Sequence, residues 1–553
     1  MAMAPDMNRR ALLLGAATVS LAVTPLQAEV DFGGTAQLRQ VISETTSGGF
    51  GTTGYLETAL TANLNVDTQR LNGQLVAIGS RRFEEFGTLR RKYRLGGTAA
   101  FDANLVDDRL FVGFGGQARQ DDRDQRGFAG QNVDAVNGNQ VQVYSAYAAP
   151  RFTQPLGGDY RFDAGYRIGI TTVDGIDSNP LTSGTNIGLD GRGATGRGLT
   201  DSLSQSANIS IGSTPRQHRL GIRALGSWTH EAIDEQDQRY RSYSASLEGS
   251  YRLDRKLTLT LRGGYEDIIN KQDSILYDDD GFPVLGPDGD FVVDPANPRR
   301  TAFERSGAFG TAGFIYTPSR RTSVSFTGGY RYGDPNFNLS ASFQPTPRTR
   351  VYANYNEGIS SFSRLLTQSL NGEIFDVSQV GGSAQIFESS QCLVDGVTGC
   401  ALDFTQSITP ATFRSRVGSV GVNFSKDRVN ANAAIFYNRR NYVDVQQLQT
   451  AADPDISERF TGSDTSFGLR GGASLALQDQ QTVGLYAGIS RNDYVLSQDR
   501  QDMFYNASAT YSRGLGSKVF VTGRASASFR QANGAGAGDS ENFSGSVGIG
   551  YRF

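Results

Sequence analysis

Residues 257–265 read Leu-Thr-Leu-Thr-Leu-Arg-Gly-Gly-Tyr, with an apolar side chain at nearly every second position. This alternation puts apolar side chains on one face of a β-strand and polar ones on the other, so Leu259 and Thr260 should face opposite sides. Segments of about ten to thirteen residues have the length of a tilted strand that crosses a membrane. The same period recurs over 160–170, 323–332, 519–530 and 543–553. The pattern predicts an all-β protein whose apolar strand faces meet lipid.

The connections between these segments alternate in length along the chain. Short turns, such as 253–255 and 425–427, alternate with long polar stretches. The long stretches are 119–139, 172–199, 270–302, 359–411 and 441–462. Short periplasmic turns and long external loops are typical of outer-membrane barrels, whereas a soluble β-sandwich has no reason to sort its loops by length. We therefore predict a single transmembrane antiparallel up-and-down β-barrel over 29–553, with about 22 strands in a range of roughly 18–22.

The segment 1–28 has the layout of a secretory signal peptide. Arg9 and Arg10 precede an apolar run over 11–23, and Ala28 offers a small residue for cleavage. The apolar run is too short to span about 30 Å of hydrocarbon, which disfavours the alternative of a membrane anchor. Export together with a barrel predicts a location in the bacterial outer membrane.

The two ends of the predicted barrel add further expectations. Strand-like alternation begins within a few residues of Glu29, so we expect no N-terminal plug and disfavour an energy-coupled ligand receptor. Tyr551 and Phe553 close an amphipathic last segment, and this resembles the C-terminal insertion signature of bacterial outer-membrane barrels. The expected partners are outer-membrane lipid, lipopolysaccharide and the barrel-assembly machinery.

The composition argues against several function classes. Two Cys and two His among 553 residues leave little material for a zinc site or a histidine-based active site. A net charge of −3 argues against nucleic acid as a partner. His230-Glu231 begins a zinc-protease-like pattern, but Asp234 stands at the second histidine position, so we expect a solvated charged loop there. We predict no enzyme activity, no catalytic residue, no cofactor and no metal.

Cys392 and Cys400 lie in the long stretch 359–411. In an exported chain, an isolated pair of cysteines predicts a disulfide, which would close a small loop and contribute about 2–3 kcal/mol. Two roles remain open for such a loop. It would either stiffen a tip that folds over or into the pore, or protect the loop from proteolysis.

Arginines dominate the charged positions on the predicted inner face. These arginines are Arg161, Arg167, Arg219, Arg223, Arg262, Arg331, Arg350, Arg470, Arg524 and Arg530. The acids assigned to the same face are Glu57, Asp102, Asp163 and Glu248. Arginine in a pore wall favours anions, so we predict a pore-lining role for these arginines. The alternative is that they pair with loop acids folded into the barrel.

A repeated hairpin pattern occupies 306–358. Residues 317–321 read Thr-Pro-Ser-Arg-Arg, 329–334 read Gly-Tyr-Arg-Tyr-Gly-Asp, and 346–350 read Thr-Pro-Arg-Thr-Arg. This pattern resembles the outer-membrane β-barrel proteins associated with the exosortase (PEP-CTERM) system of Gram-negative bacteria. The resemblance implies a cell-surface barrel found with exopolysaccharide biosynthesis, and it transfers no catalytic residue.

Three functions fit these observations. The first is a passive channel that exports an exopolysaccharide with the help of periplasmic components. The second is a general porin that prefers anions, and the third is a structural barrel that does not conduct. A barrel of about 22 strands encloses a wide lumen, so we expect part of the chain to occlude it. The candidates for occlusion are 172–199, 270–302 and 359–411.

Overall fold

The computed structural model describes most of the chain from Glu29 onward. The described residues are 29–46, 51–87, 92–122, 140–174, 201–215, 218–234, 237–274, 276, 278, 284, 292–361, 363–365, 412–442, 463–478, 480–494, 500–533 and 538–553. Residues 1–28 lie outside this part, so the signal peptide and the lack of a plug stay predictions.

The described residues form one closed β-barrel. Its strands are β1 (Glu29–Thr45), β2 (Gly51–Asp67), β3 (Leu71–Phe86), β4 (Tyr93–Val106), β5 (Leu110–Asp122), β6 (Gln140–Gly157), β7 (Tyr160–Asp174), β8 (Asp201–Ser213), β9 (Leu220–Ile233), β10 (Gln238–Arg252), β11 (Leu257–Asp273), β12 (Arg299–Ser319), β13 (Thr322–Arg331), β14 (Asp334–Thr346), β15 (Thr349–Ser360), β16 (Phe413–Lys426), β17 (Val429–Tyr442), β18 (Ser463–Gln478), β19 (Gln481–Tyr494), β20 (Arg500–Gly514), β21 (Val519–Asn533) and β22 (Ser540–Arg552). Each strand pairs antiparallel with the next, and β1 pairs with β22 from Thr35↔Arg552 to Thr45↔Asn542. The predicted up-and-down barrel of 22 strands is confirmed.

Connections of different length lie at opposite ends of the barrel. The short turns predicted from sequence all join an even-numbered strand to the next odd-numbered one, as Asp427 and Arg428 join β16 to β17. The long connections lie at the other end. Several predicted loop boundaries differ by a few residues. β5 continues to Asp122, β7 continues to Asp174, β11 continues to Asp273 and β12 begins at Arg299. On β11, a β-bulge between Asn270 and Lys271 interrupts the two-residue alternation of the sequence, so the pattern does not show where this strand ends.

One connection at the long-loop end is a tight turn. Tyr332 and Gly333 join β13 to β14, and their φ angles of 58° and 79° are both positive. Two residues with positive φ form a type I′ turn, whose twist matches that of the flanking strands, and glycine reaches this conformation without strain. The barrel wall is therefore lower at β13 and β14 than at its neighbours.

The apolar face of the strands points outward. On β11, Leu259 and Leu261 are exposed on the outer surface, while Thr260 faces the lumen, as the alternation predicts. The single tryptophan, Trp228, also lies on the outer face, where its ring stacks on His230. Only a closed barrel satisfies all backbone groups of strands in lipid, and an even-stranded barrel with an apolar exterior is typical of the bacterial outer membrane. The chain is an outer-membrane β-barrel.

Two further observations concern local structure. In the part of the chain that the structure describes, no helix has the length and apolar character needed to cross a bilayer.

The expectation of a solvated loop at 230–235 is wrong for its first residues, because His230 and Glu231 belong to β9 and Glu231 is fully buried. The strand thus extends further than its apolar pattern indicated.

Candidate functional site

The lumen of the barrel holds most of the predicted site residues. Five of the predicted arginines face the lumen within six residues of the strand end nearest the short turns. This arginine band consists of Arg161 on β7, Arg223 on β9, Arg262 on β11, Arg350 on β15 and Arg524 on β21. They share this face because each is an even number of residues from a luminal serine, threonine or glycine on its strand.

The arginine band contains two kinds of contact. Arg161 pairs with Asp163 at 2.8 Å, and Arg223 pairs with Glu248 at 2.9 Å, so these charges are offset. Arg262 instead donates to the hydroxyl of Ser246 at 2.9 Å, and Arg350 donates to that of Ser342 at 3.3 Å. A hydroxyl positions a guanidinium group without neutralising it. Glu248 lies across the ladder from Arg262 but pairs with Arg223, so two arginines share one acid and the wall keeps a net positive charge.

The other predicted arginines occupy different surroundings. The Arg167 guanidinium lies 3.9 Å from the ring centre of Tyr147, and that of Arg470 lies 5.3 Å from that of Phe436. Near the long-loop end, Arg331 pairs with Glu266 at 2.8 Å, and Arg530 lies 3.9 Å from Asp502. Arg219 differs from its predicted position, because it precedes β9 in a short turn and is exposed.

Five buried acids in the half of the barrel near the long loops were not predicted. They are Glu231, Glu266, Glu357, Asp464 and Asp502. Each lies toward the strand end at which regular alternation gives way to loop-like composition, so neither face could be assigned from the pattern. The same half also buries arginines that were not predicted, namely Arg39, Arg82, Arg94, Arg364, Arg414 and Arg440, so these acids are offset by further cations.

The β13–β14 turn bends into the barrel. The amide of Tyr332 donates to Glu266 on β11 at 2.9 Å, and the Arg331 side chain donates to the same carboxylate. A cluster named here the apolar collar forms around the turn. It consists of buried Tyr240, Ile268 and Phe303, with Tyr332 and Ile359 packed against them. The collar lies near the long-loop end of the barrel.

The start of the long β15–β16 connection also enters the lumen. Ser361 donates to both carboxylate oxygens of Glu231, at 2.6 and 2.7 Å, and Ser363 also contacts this carboxylate. Arg364 pairs with Glu231 at 3.0 Å and lies over the ring of Tyr240 at 4.0 Å. We call Ser361, Ser363 and Arg364 the loop anchor. It joins the end of β15 to β9 and β10, which are not its neighbours in the sheet.

Two further features hold the loop anchor in place. Burial lowers the pKa of the Arg364 guanidinium, but Tyr240 and Glu231 outweigh burial and raise this pKa above its usual value, so Arg364 stays charged. At the other end of the same connection, Thr412 accepts a hydrogen bond from Asn270 on β11 at 3.1 Å. Both ends of the connection therefore lie against the wall formed by β8 to β11.

The remaining predicted sites lie elsewhere. Cys392 and Cys400 fall outside the described residues, so their disulfide stays a prediction. Tyr551 is exposed on the outer face with Lys518 near its ring, and the backbone of Phe553 pairs with Gly34 to close the barrel seam. Within the described ranges, no group of three or more His, Cys, Asp or Glu side chains could hold a metal ion.

No protein-family model and no curated protein matches the chain. Among solved structures, it is similar to the copper transporter OprC, with 11% identity and a TM-score of 0.42 over 96% of this chain and 82% of that one. It is also similar to the siderophore receptor PiuA from Acinetobacter baumannii (11% identity, TM-score 0.44, 94% and 82% covered). The ferric-catecholate import receptor Fiu from E. coli matches at 9% identity and a TM-score of 0.44, with 94% and 81% covered. Similarities this low assign no function to the chain, whose fold stands on its own strand registers.

Proposed function

We propose that this barrel is a gated outer-membrane channel for anionic solutes. The observation that carries the proposal is the contact pattern of Arg262 and Arg350, whose charges are held in the lumen wall by serine hydroxyls. Confined positive charge raises the local concentration of anions, and the effect weakens as salt screens it. The apolar collar and the loop anchor would then control access from the outer end.

An anionic exopolysaccharide is the cargo that we propose on the basis of the resemblance over 306–358. Its carboxylate or sulfate groups would move along the arginine band in successive short contacts, which guide a polymer without trapping it. Periplasmic export components would deliver such a polymer, and the barrel-assembly machinery would insert the barrel. A small-anion porin is the simpler version of the same proposal.

Ion selectivity in planar bilayers tests the channel. We expect the reversal potential in a salt gradient to show an anion preference at low salt. The double substitution Arg262→Ser with Arg350→Ser should shift this potential toward zero selectivity. Arg81→Ser is the matched control, because Arg81 lies on the outer face between Phe83 and Tyr93 and should leave selectivity unchanged.

Two results would reject the proposal. A cation preference of the unmodified barrel would show that the arginine band does not line the conducting path. Lack of conductance both in the unmodified barrel and in the Glu231→Gln variant, which frees the loop anchor, would favour a structural barrel. Block of the current by dextran sulfate but not by neutral dextran would favour a polyanionic cargo over small anions.

A further inference from the structure

The wall of the barrel is incompletely hydrogen-bonded between β14 and β15. Over the described stretch 334–361, the ladder between these strands runs from Thr346↔Thr349 to Leu339↔Tyr355 and ends there. Residues 334–338 pair only with β13, and residues 356–360 pair only with β16. We call these two facing segments the β14–β15 seam. In the described barrel, β4 and β5 also leave facing segments at their long-loop ends, where 93–96 pair only with β3 and 119–122 pair only with β6.

A proline keeps the ladder from resuming near the turn. Asp334 pairs with Arg331 across the tight turn, so the next residue, Pro335, directs its backbone toward β15. Proline has no N–H to donate, so a ladder cannot continue through this position. The carbonyl of Pro335 instead accepts a hydrogen bond from the Arg414 side chain at 2.5 Å.

Side chains close the seam. Four contacts cross it. They are Arg414 to Asp334 at 2.7 Å, Arg414 to the Pro335 carbonyl, Asn336 to Glu357 at 3.3 Å, and the Glu357 amide to Asn338 at 3.2 Å. Each side also has contacts of its own. Glu357 is bonded to Arg414, Arg416 and Tyr355 on the β15–β16 side, and Asn338 is bonded to Asn336 on the β14 side.

Because the contacts are divided in this way, separating β14 from β15 at the seam costs less free energy than separating two strands joined by a complete backbone ladder. Separating two paired strands in lipid would expose backbone groups at several kcal/mol each. At the seam, the buried carboxylate of Glu357 would keep two arginines and a tyrosine as partners after the strands part. Two arginines beside one glutamate would also give that edge a net positive charge.

The seam lies at the level of the outer leaflet. β13 has 10 residues, and at about 3.4 Å per residue with a tilt near 45° it rises about 24 Å, close to the height of the apolar band of such barrels. The tight turn therefore sits at the outer edge of the bilayer, and the seam lies just below it. On the outer face beside the seam, Tyr330 and Phe337 are about half exposed and suited to lipid contact.

We propose that the β14–β15 seam is a lateral passage between the lumen and the outer leaflet for an amphipathic ligand with an acyl chain and an anionic head group. The acyl chain enters the bilayer beside Phe337, and Arg414 and Arg416 receive the head group. This passage goes beyond conduction through the lumen, because a molecule leaving by the seam passes beside Tyr332 and Ile359 of the collar into the bilayer and not through the long-loop mouth of the barrel.

Photolabelling tests the passage in the full chain, reconstituted in phospholipid vesicles in a Cys392→Ser, Cys400→Ser background. The probe is dodecyl phosphate with a diazirine in its alkyl chain. We expect labelled peptides to concentrate in 334–338 and 356–360. A short thiol crosslinker between Asn338→Cys and Asn356→Cys should reduce this labelling several-fold. The same crosslinker between Ser340→Cys and Asn354→Cys, a pair within the intact ladder, should not.

A second variant should increase photolabelling at the seam, whereas the crosslink should decrease it. Asp334→Asn removes one contact that crosses the seam and keeps both arginines, so labelling should rise roughly two- to five-fold. Asp493→Asn, which breaks the exposed pair with Arg491 elsewhere, is the control. Labelling spread evenly over the lipid face, or unchanged by both the crosslink and Asp334→Asn, would overturn the proposal. Anion conductance should be the same in crosslinked and free barrels, so failure of the passage is distinct from failure of the channel.

Discussion

At the scale of the residue, the face of the strand decides what each position tolerates. Leu261 on β11 is 67% exposed on the outer surface, and Thr260 beside it faces the lumen. The outer position meets hydrocarbon, whereas the inner position meets water and polar side chains. Leu259, which the sequence placed in the middle of a strand, is the third residue of β11 and thus lies near the periplasmic interface.

We predict that Leu261→Arg destabilises the barrel far more than Thr260→Arg. An arginine on the lipid face near the middle of the bilayer costs about 2–4 kcal/mol, while a luminal arginine is solvated. Denaturant titration of the barrel in lipid vesicles measures both free energies of unfolding, with the fluorescence of the single Trp228 as reporter. Equal losses of stability in the two variants would mean that the assignment of faces on β11 is off by one residue.

At the scale of the element, side-chain contacts hold the start of the β15–β16 connection to the wall. The carboxylate of Glu231 contacts Ser361, Ser363 and Arg364, and Ser202 on β8 also contacts Ser363. Breaking a buried ion pair by removing one charge costs about 3–5 kcal/mol, because the other charge stays buried. Removing the charge of Glu231 therefore destabilises the contact between the loop anchor and the wall. The strands of the wall keep their backbone hydrogen bonds, so the barrel itself stays folded.

Glu231→Gln should therefore release the loop anchor and leave the barrel folded. We expect a larger and more variable single-channel conductance and faster proteolysis after Arg364 in vesicles. Adding Arg364→Gln should restore part of the anchoring, because no charge then stays buried. Asp493→Asn is the matched control, since its pair with Arg491 is exposed and outside the arginine band, and its loss should cost less than about 1 kcal/mol. A Glu231→Gln barrel with unchanged conductance would show that the anchor does not limit passage.

The strands could be predicted from the sequence, whereas the side-chain contacts between distant strands and loops could not. The two-residue period and the order of short and long connections were enough to predict the strands and their pairing, because neighbours along the chain are neighbours in the sheet. The contact between Ser361 and Glu231 joins residues 130 positions apart, and no periodic signal marks it. Likewise, no sequence pattern predicts the contact between Asn336 and Glu357 across the interrupted ladder. Pro335, which lies between the tight turn and Asn336, is the one residue there in the sequence that indicates a missing backbone donor.

At the scale of the whole molecule, the two ends of the barrel differ in more than loop length. The end with short turns carries the arginine band, while the other end carries the apolar collar, the loop anchor and the seam. Orientation in the membrane thus decides whether a solute meets arginines first or last. Short turns face the periplasm in outer-membrane barrels, so the arginine band should be the periplasmic entrance.

Cysteine labelling of intact cells tests this orientation in a Cys392→Ser, Cys400→Ser background. Asn297→Cys places a thiol at an exposed position in the connection between β11 and β12, and Lys426→Cys places one at the opposite end, beside Asp427. A maleimide that cannot cross the outer membrane should label Asn297→Cys in intact cells. It should label Lys426→Cys only after the outer membrane is permeabilised. The opposite result would put the arginine band at the cell surface and the seam in the inner leaflet, where an amphipathic ligand would enter from the periplasmic side.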